Sequence, residues 1–72
     1  MSKMNIFRKR LAEQRMACNM SYQSLGDRLG LSAVAVLKWE KGISQPSLSN
    51  FMLLCEVLDV SADYMLGISE YK

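Results

Sequence analysis

The residue types that carry out most enzymatic chemistry are sparse in this 72-residue sequence. It contains no histidine, and Cys18 and Cys55 lie 37 positions apart with no other metal-ligand residues grouped around them. No pair of carboxylates is clustered for acid–base work, and no glycine-rich loop is present to hold a phosphate. The sequence therefore predicts no enzymatic activity, no cofactor, no metal site and no small-molecule substrate.

The remaining groups able to do chemistry are cationic side chains, and these are unevenly distributed. Residues 1–42 contain eight Lys or Arg and three acidic residues, a net charge of +5. Residues 43–72 contain one basic and four acidic residues, a net charge of −3. This asymmetry is typical of a protein with one anion-facing surface, although a solvated basic helix face produces it equally.

Five helices are predicted to position these side chains, because apolar residues recur at helical spacing between capping residues and glycines. The first covers about residues 5–18. The other four each follow a serine that can cap a helix, and they cover about residues 22–29, 33–41, 48–58 and 62–67. Residues 68–72 are expected to be a frayed tail, which leaves residues 1–67 as one compact all-α domain.

The core is expected to be compact, because a chain of this length buries only roughly 60% of the surface that its unfolded form exposes. Phe7, Leu11 and Cys18 are predicted to form the inward stripe of the first helix. The fourth helix is expected to turn five residues inward: Leu48, Phe51, Leu54, Cys55 and Leu58.

The sequence also indicates the compartment. Both cysteines fall at apolar positions of predicted helices, which favours two reduced core thiols over a disulfide or a reactive thiol. The N-terminus lacks the features of a cleavable signal, and no apolar run approaches the roughly 18 residues of a membrane span. A cytoplasmic protein without membrane contact is predicted.

The second and third predicted helices are separated by only a short turn, and the motif runs from about Met20 to Gly42. Gly26 leaves the second helix without a side chain where the third must cross it closely. This spacing resembles the Cro and phage-repressor helix-turn-helix family, also called the XRE family. The positions that carry the resemblance are Leu25-Gly26, Gly30-Leu31-Ser32, Val36, Trp39-Glu40-Lys41-Gly42, Pro46-Ser47-Leu48 and Leu58-Asp59-Val60-Ser61.

The resemblance implies a lambda-repressor-like fold in which helix three enters the major groove of double-stranded DNA and helix two lies across it. It implies a buried ion pair between Arg15 and Glu40 that fixes helix three. It also implies that backbone amides after helix three hold phosphates, and here these belong to Lys41, Gly42, Ile43, Ser44 and Gln45.

Helix three departs from the family pattern at its outward positions. Operator readers usually place Gln, Arg, Ser or Thr there, whereas this chain has Ala33, Val34, Ala35 and Leu37, and only Lys38 can donate hydrogen bonds. Specific binding typically needs about 4–10 kcal/mol beyond non-specific binding, and one good bidentate pair supplies about 1–3 kcal/mol. Lys38 alone falls short, so contacts with thymine methyl groups or recognition of DNA shape would have to contribute.

The resemblance therefore implies a small phage-type regulator of a lysis–lysogeny switch in a bacterial host, and two modes of action stay open. In the first, the protein is an antirepressor that forms a heteromeric complex with a partner repressor, through an apolar surface of Met20, Tyr22, Val34 and Leu37. Ser21 lies beside that surface, at the entry to helix two. In the alternative, the protein is a Cro-like repressor that binds operator DNA with Gln23, Lys38, Lys41 and the loop amides.

Overall fold

Five α-helices make up the computed structural model, which describes residues 3–72. They are α1 (Lys3–Ala17), α2 (Tyr22–Leu29), α3 (Ala33–Lys41), α4 (Leu48–Leu58) and α5 (Ala62–Met65), and the described part of the chain contains no strand. The predicted all-α, five-helix fold is confirmed. None of these helices is both long and apolar enough to cross a membrane.

Local hydrogen bonds define the helix boundaries. The side chains of Ser21, Ser32, Ser47 and Ser61 each accept a hydrogen bond from the backbone N–H three residues later, at distances between 3.0 and 3.3 Å. These serines have extended backbone angles and cap α2, α3, α4 and α5. All four helices begin where their capping serines predict.

The core is formed by side chains from all five helices. Phe7 and Leu11 of α1 contribute to it, and the Phe7 ring packs against Phe51 of α4 with their centroids 6.0 Å apart. The other buried apolar residues are Leu25, Leu29, Val36, Trp39, Leu54, Cys55, Leu58, Val60, Tyr64 and Met65.

Two of the predicted inward residues are exposed. Cys18 lies outside the core because α1 ends at Ala17, so the chain has already turned toward α2 at this position. The buried position on that face of α1 belongs to Gln14. Leu48 is 73% exposed because it is the first residue of α4 and lies beyond the edge of the core.

Residues 68–72, expected to form a frayed tail, are not helical but make hydrogen bonds with the rest of the domain. Arg10 of α1 donates to the backbone oxygen of Ser69 at 2.8 Å and forms an ion pair with Glu70 at 3.2 Å. The backbone N–H of Ser61 donates to the backbone oxygen of Lys72 at 2.7 Å. The tail therefore lies against α1 and the start of α5.

Candidate nucleic-acid interface

The turn between α2 and α3 brings the two helices together at Gly26. A Cβ atom at this position would lie 2.9 Å from the backbone oxygens of Leu31 and Ser32. The backbone of Gly30 is left-handed, with φ of 71°, and ends α2 directly before the turn. A side chain at Gly26 would therefore push α3 away from α2, as the sequence indicates.

Arg15 of α1 fixes the C-terminal end of α3 through Glu40. Its Nε donates to Glu40 Oε2 at 2.7 Å and its Nη2 donates to Glu40 Oε1 at 3.3 Å. The two side chains are only 12% and 7% exposed, so the pair is largely removed from solvent. The hydrogen bond with Glu40 raises the pKa of Arg15, with burial opposing the shift.

The same guanidinium also reaches the start of α2. Arg15 Nη1 donates to the backbone oxygen of Met20 at 2.8 Å, and its Cζ lies 4.2 Å from the ring centroid of Tyr22. Arg15 thus contacts α2 and α3 at once, which positions both helices of the motif relative to α1.

A second arginine of α1, whose role was not predicted from the sequence, holds α3 at the same end. Arg8 Nε donates to the backbone oxygen of Glu40 at 2.9 Å. Its side chain packs on Gly42, where a Cβ atom would lie 3.0 Å from Arg8 Nε. A cation at this position also interacts favourably with the negative end of the α3 dipole. The spacing of Arg8 and Arg15 places both on one face of α1, and this spacing could have predicted that Arg8 also contacts α3.

The outward face of α3 is smaller than the sequence predicts. Val34 is 54% exposed and Lys38, one turn later, is also exposed. Ala33 and Leu37 are half-buried. Ala35 was expected to face outward, but it packs against the core because it lies one turn before the buried Trp39 on the same face of α3.

The entry to α2 contributes less apolar surface than expected. Met20 and Tyr22 are partly buried because both pack against the core, and the Tyr22 ring also lies under the guanidinium of Arg15. Ser21 is engaged in the cap of α2, where its N–H donates to Ser24 Oγ at 2.8 Å. The exposed side chain of Gln23 donates to Asp27 Oδ1 at 2.7 Å. Of the four residues expected to form one apolar surface, only Val34 is largely exposed.

The loop after α3 also differs from the expectation. Lys41, Gly42, Ile43, Ser44 and Gln45 are all exposed. The N–H of Gly42 donates to Trp39 O at 3.2 Å, however, and those of Ile43 and Ser44 donate to Lys38 O at 2.9 and 3.4 Å.

These bonds form because Gly42 is left-handed, with φ of 75°, and turns the following amides back onto the end of α3. These three amides therefore already have backbone acceptors, and their use for phosphate binding, which stays a prediction, would require that these hydrogen bonds be exchanged. The N–H of Gln45 donates to no carbonyl within residues 3–72, so it stays available together with the side chains of Lys41 and Gln45.

A family model described as helix-turn-helix matches residues 11–65. The transcriptional repressor RstR of the cryptic phage CTXphi, from Vibrio cholerae, is 32% identical over 60 residues, which are 83% of this chain and 54% of the repressor. Repressor protein C2 of Salmonella phage P22 is 31% identical over 58 residues, which are 81% of this chain and 27% of that protein. The chain thus spans about half the length of its relatives, or less.

A solved structure is similar across the whole fold. The P22 c2 repressor protein, in a complex with a synthetic operator, aligns with a TM-score of 0.83 and 28% sequence identity. The alignment covers 89% of this chain and 97% of that chain.

Proposed function

This chain belongs to the Cro and phage-repressor helix-turn-helix family, and from this premise we propose that it is a phage-type transcriptional regulator that binds double-stranded operator DNA through α3. The observation that carries the proposal is the similarity of the whole fold to a repressor whose structure contains an operator. The family consists of regulators of transcription, so the chain is assigned a binding role and no enzymatic one.

Val34 and Lys38 are the side chains that we assign to base recognition. They are four residues apart, so they lie on the same face of α3, and both are exposed. An exposed valine can contact the 5-methyl group of thymine in the major groove, and a lysine can donate to O6 and N7 of guanine. We therefore expect the preferred site to contain a thymine opposite Val34 and a guanine within reach of Lys38.

Phosphate contacts are assigned to the C-terminal end of α3 and to the loop that follows it. Lys41 ends α3, and the Gln45 side chain and N–H follow in the loop. These contacts would orient the domain on the duplex without selecting a sequence. Gln23 is held by Asp27 at 2.7 Å, so its use for DNA requires that this hydrogen bond be exchanged.

The test is selection of binding sites from a random-sequence duplex library, followed by substitution of the selected thymines with uracil. Uracil lacks the methyl group, and losing one buried methyl contact costs about 0.8 kcal/mol, or roughly a fourfold loss of affinity. The wild type should lose this affinity when thymine is replaced by uracil, and the Val34→Ser variant should not. Met52→Ser, a change at an exposed residue of α4, should show the same loss as the wild type. Selection that yields no preferred sequence would refute operator recognition.

Binding of a partner repressor is the second candidate function. The observation that favours it is the apolar character of the outward face of α3, where Val34 is 54% exposed and Leu37 is half-buried. An interface needs no hydrogen-bond partner for such residues. The burial of Met20 and Tyr22 limits the area of this surface.

A binding assay with a purified candidate partner repressor separates the two functions. If α3 binds that repressor, Leu37→Glu should abolish the complex and Met52→Glu should leave it intact, since Met52 lies on α4. Operator DNA should also compete with the partner. A complex that tolerates Leu37→Glu would exclude α3 as the docking surface.

A further inference from the structure

A cationic groove runs between the N-terminal half of α1 and the C-terminal end of α3. Its volume is about 370 Å³, and it opens beside the first residue of α2. The residues that line it include Asn5, Arg8, Lys9, Tyr22, Glu40 and Lys41.

The positive charges in this groove are not neutralised by acidic side chains. Ion pairs in the described part of the chain join Arg10 to Glu70 and Arg15 to Glu40, so neither Arg8, Lys9 nor Lys41 has a carboxylate partner there. The carboxylate in the groove, Glu40, is paired with Arg15 at 2.7 Å. Three cations thus face a groove whose single anion is already satisfied.

Arg8 gives the groove a fixed wall. Its guanidinium is held by the backbone oxygen of Glu40 at 2.9 Å and by Asn5 Oδ1 at 3.2 Å, and it packs on Gly42. A cation held in this way loses little conformational entropy when an anion arrives. Lys9 and Lys41 are exposed, and their flexible side chains can reach an anion seated against Arg8.

The groove lies next to the surface assigned to DNA. Lys41 belongs to both, because it ends α3 and lines the groove. Arg8 packs on Gly42, the residue directly after Lys41, and Lys9 lines the same groove. A DNA strand that passes Lys41 can therefore continue toward Arg8 and Lys9.

We propose that Arg8, Lys9 and Lys41 bind adjacent phosphates of one DNA strand, so that the contacts extend outside the base pairs that α3 covers. The inference rests on the proposed function and extends it, since it adds α1 to the DNA-binding surface. A phosphate diester is the matching ligand because it is anionic, lacks sequence information and accepts hydrogen bonds from guanidinium and ammonium groups.

The test is the salt dependence of binding to a mixed-sequence duplex of 24 base pairs, measured by fluorescence anisotropy. Each phosphate contact contributes about 0.9 to the slope of log K against log salt concentration. Lys9→Gln should lower this slope by about 0.9, and Lys9→Arg should restore it. Lys72→Gln is the matched control, because it removes the same charge from an exposed lysine in the C-terminal tail.

Two results would overturn the inference while the proposed function stands. In the first, the wild type binds DNA and the Lys9→Gln variant has the same salt-dependence slope as the wild type. In the second, Lys72→Gln lowers the slope as much as Lys9→Gln does, which would show an effect of net charge only. A wild type that binds no duplex would instead refute the proposed function itself. Lys9→Gln should also weaken binding equally on selected and mixed sequences, since a phosphate contact does not discriminate between them.

Discussion

Removal of Arg15 should be among the most destabilising single changes in this domain. Arg15→Ala leaves Glu40, whose side chain is 7% exposed, as a buried carboxylate without its cation. Breaking a buried ion pair in this way costs about 3–5 kcal/mol. A domain of this size has a free energy of unfolding of roughly 4–11 kcal/mol, at 0.05–0.15 kcal/mol per residue. We therefore expect a large fraction of its stability to be lost.

Urea denaturation followed by the fluorescence of Trp39 measures this loss, because Trp39 is the single tryptophan and is 4% exposed. The matched control is the double variant Arg15→Met with Glu40→Leu, which replaces both charges with apolar side chains. Replacing a whole buried pair is often close to neutral, so the double variant should be more stable than Arg15→Ala by about 2 kcal/mol or more. Arg15→Met alone and Glu40→Leu alone complete the double-mutant cycle.

The reasoning would be refuted if Arg15→Ala lowered the free energy of unfolding by less than about 0.5 kcal/mol, the range of ordinary surface substitutions. It would also fail if the double variant were as unstable as Arg15→Ala. The loss would then come from the contacts of Arg15 with Met20 and Tyr22, and not from an unpaired carboxylate.

Three further predictions concern packing and reactivity. Gly26→Ala should destabilise the domain more than Gly30→Ala. A Cβ atom at position 26 would meet backbone atoms at 2.9 Å, whereas one at position 30 would meet nothing within 4 Å. Urea denaturation of both variants compares their free energies of unfolding. Leu48→Ala should change the free energy of unfolding by less than about 0.5 kcal/mol, since Leu48 is 73% exposed. A loss of about 2–5 kcal/mol, as for a core leucine, would contradict this exposed position. Cys18 should react with iodoacetamide in the native protein, whereas Cys55 should not, because burial raises the pKa of the Cys55 thiol and shields it from the reagent. Mass spectrometry of the native and the urea-unfolded protein distinguishes the two sites.

Local features of the sequence were sufficient to predict both ends of α2, α3 and α4 and the start of α5, whereas α1 covers Lys3–Ala17 instead of residues 5–18 and α5 ends at Met65 instead of residue 67. A serine cap such as Ser32 acts within three residues, and a left-handed glycine such as Gly42 ends its helix through bonds within the last turn. Such interactions need no knowledge of the rest of the chain. The fold class and the order of the elements followed from them and from apolar spacing.

The errors lie where a helix leaves the core. Apolar spacing alone does not reveal that α1 stops one residue before Cys18 or that Leu48 lies past the edge of the core. Periodicity also does not reveal the contact of Arg10 with Ser69, because the two residues are 59 positions apart. The family pattern suggested free amides after α3, whereas the turn at Gly42 uses three of them internally.

The close crossing at Gly26 has a thermodynamic consequence for complex formation. Because the backbone of α2 packs closely on the turn that leads into α3, and α1 holds the far end of α3 through Arg8 and Arg15, the binding surface is ordered before any ligand arrives. Association then costs translational and rotational freedom but little internal entropy of the protein. The heat capacity change on binding should therefore reflect only the apolar area that is covered, with no contribution from folding of a protein segment.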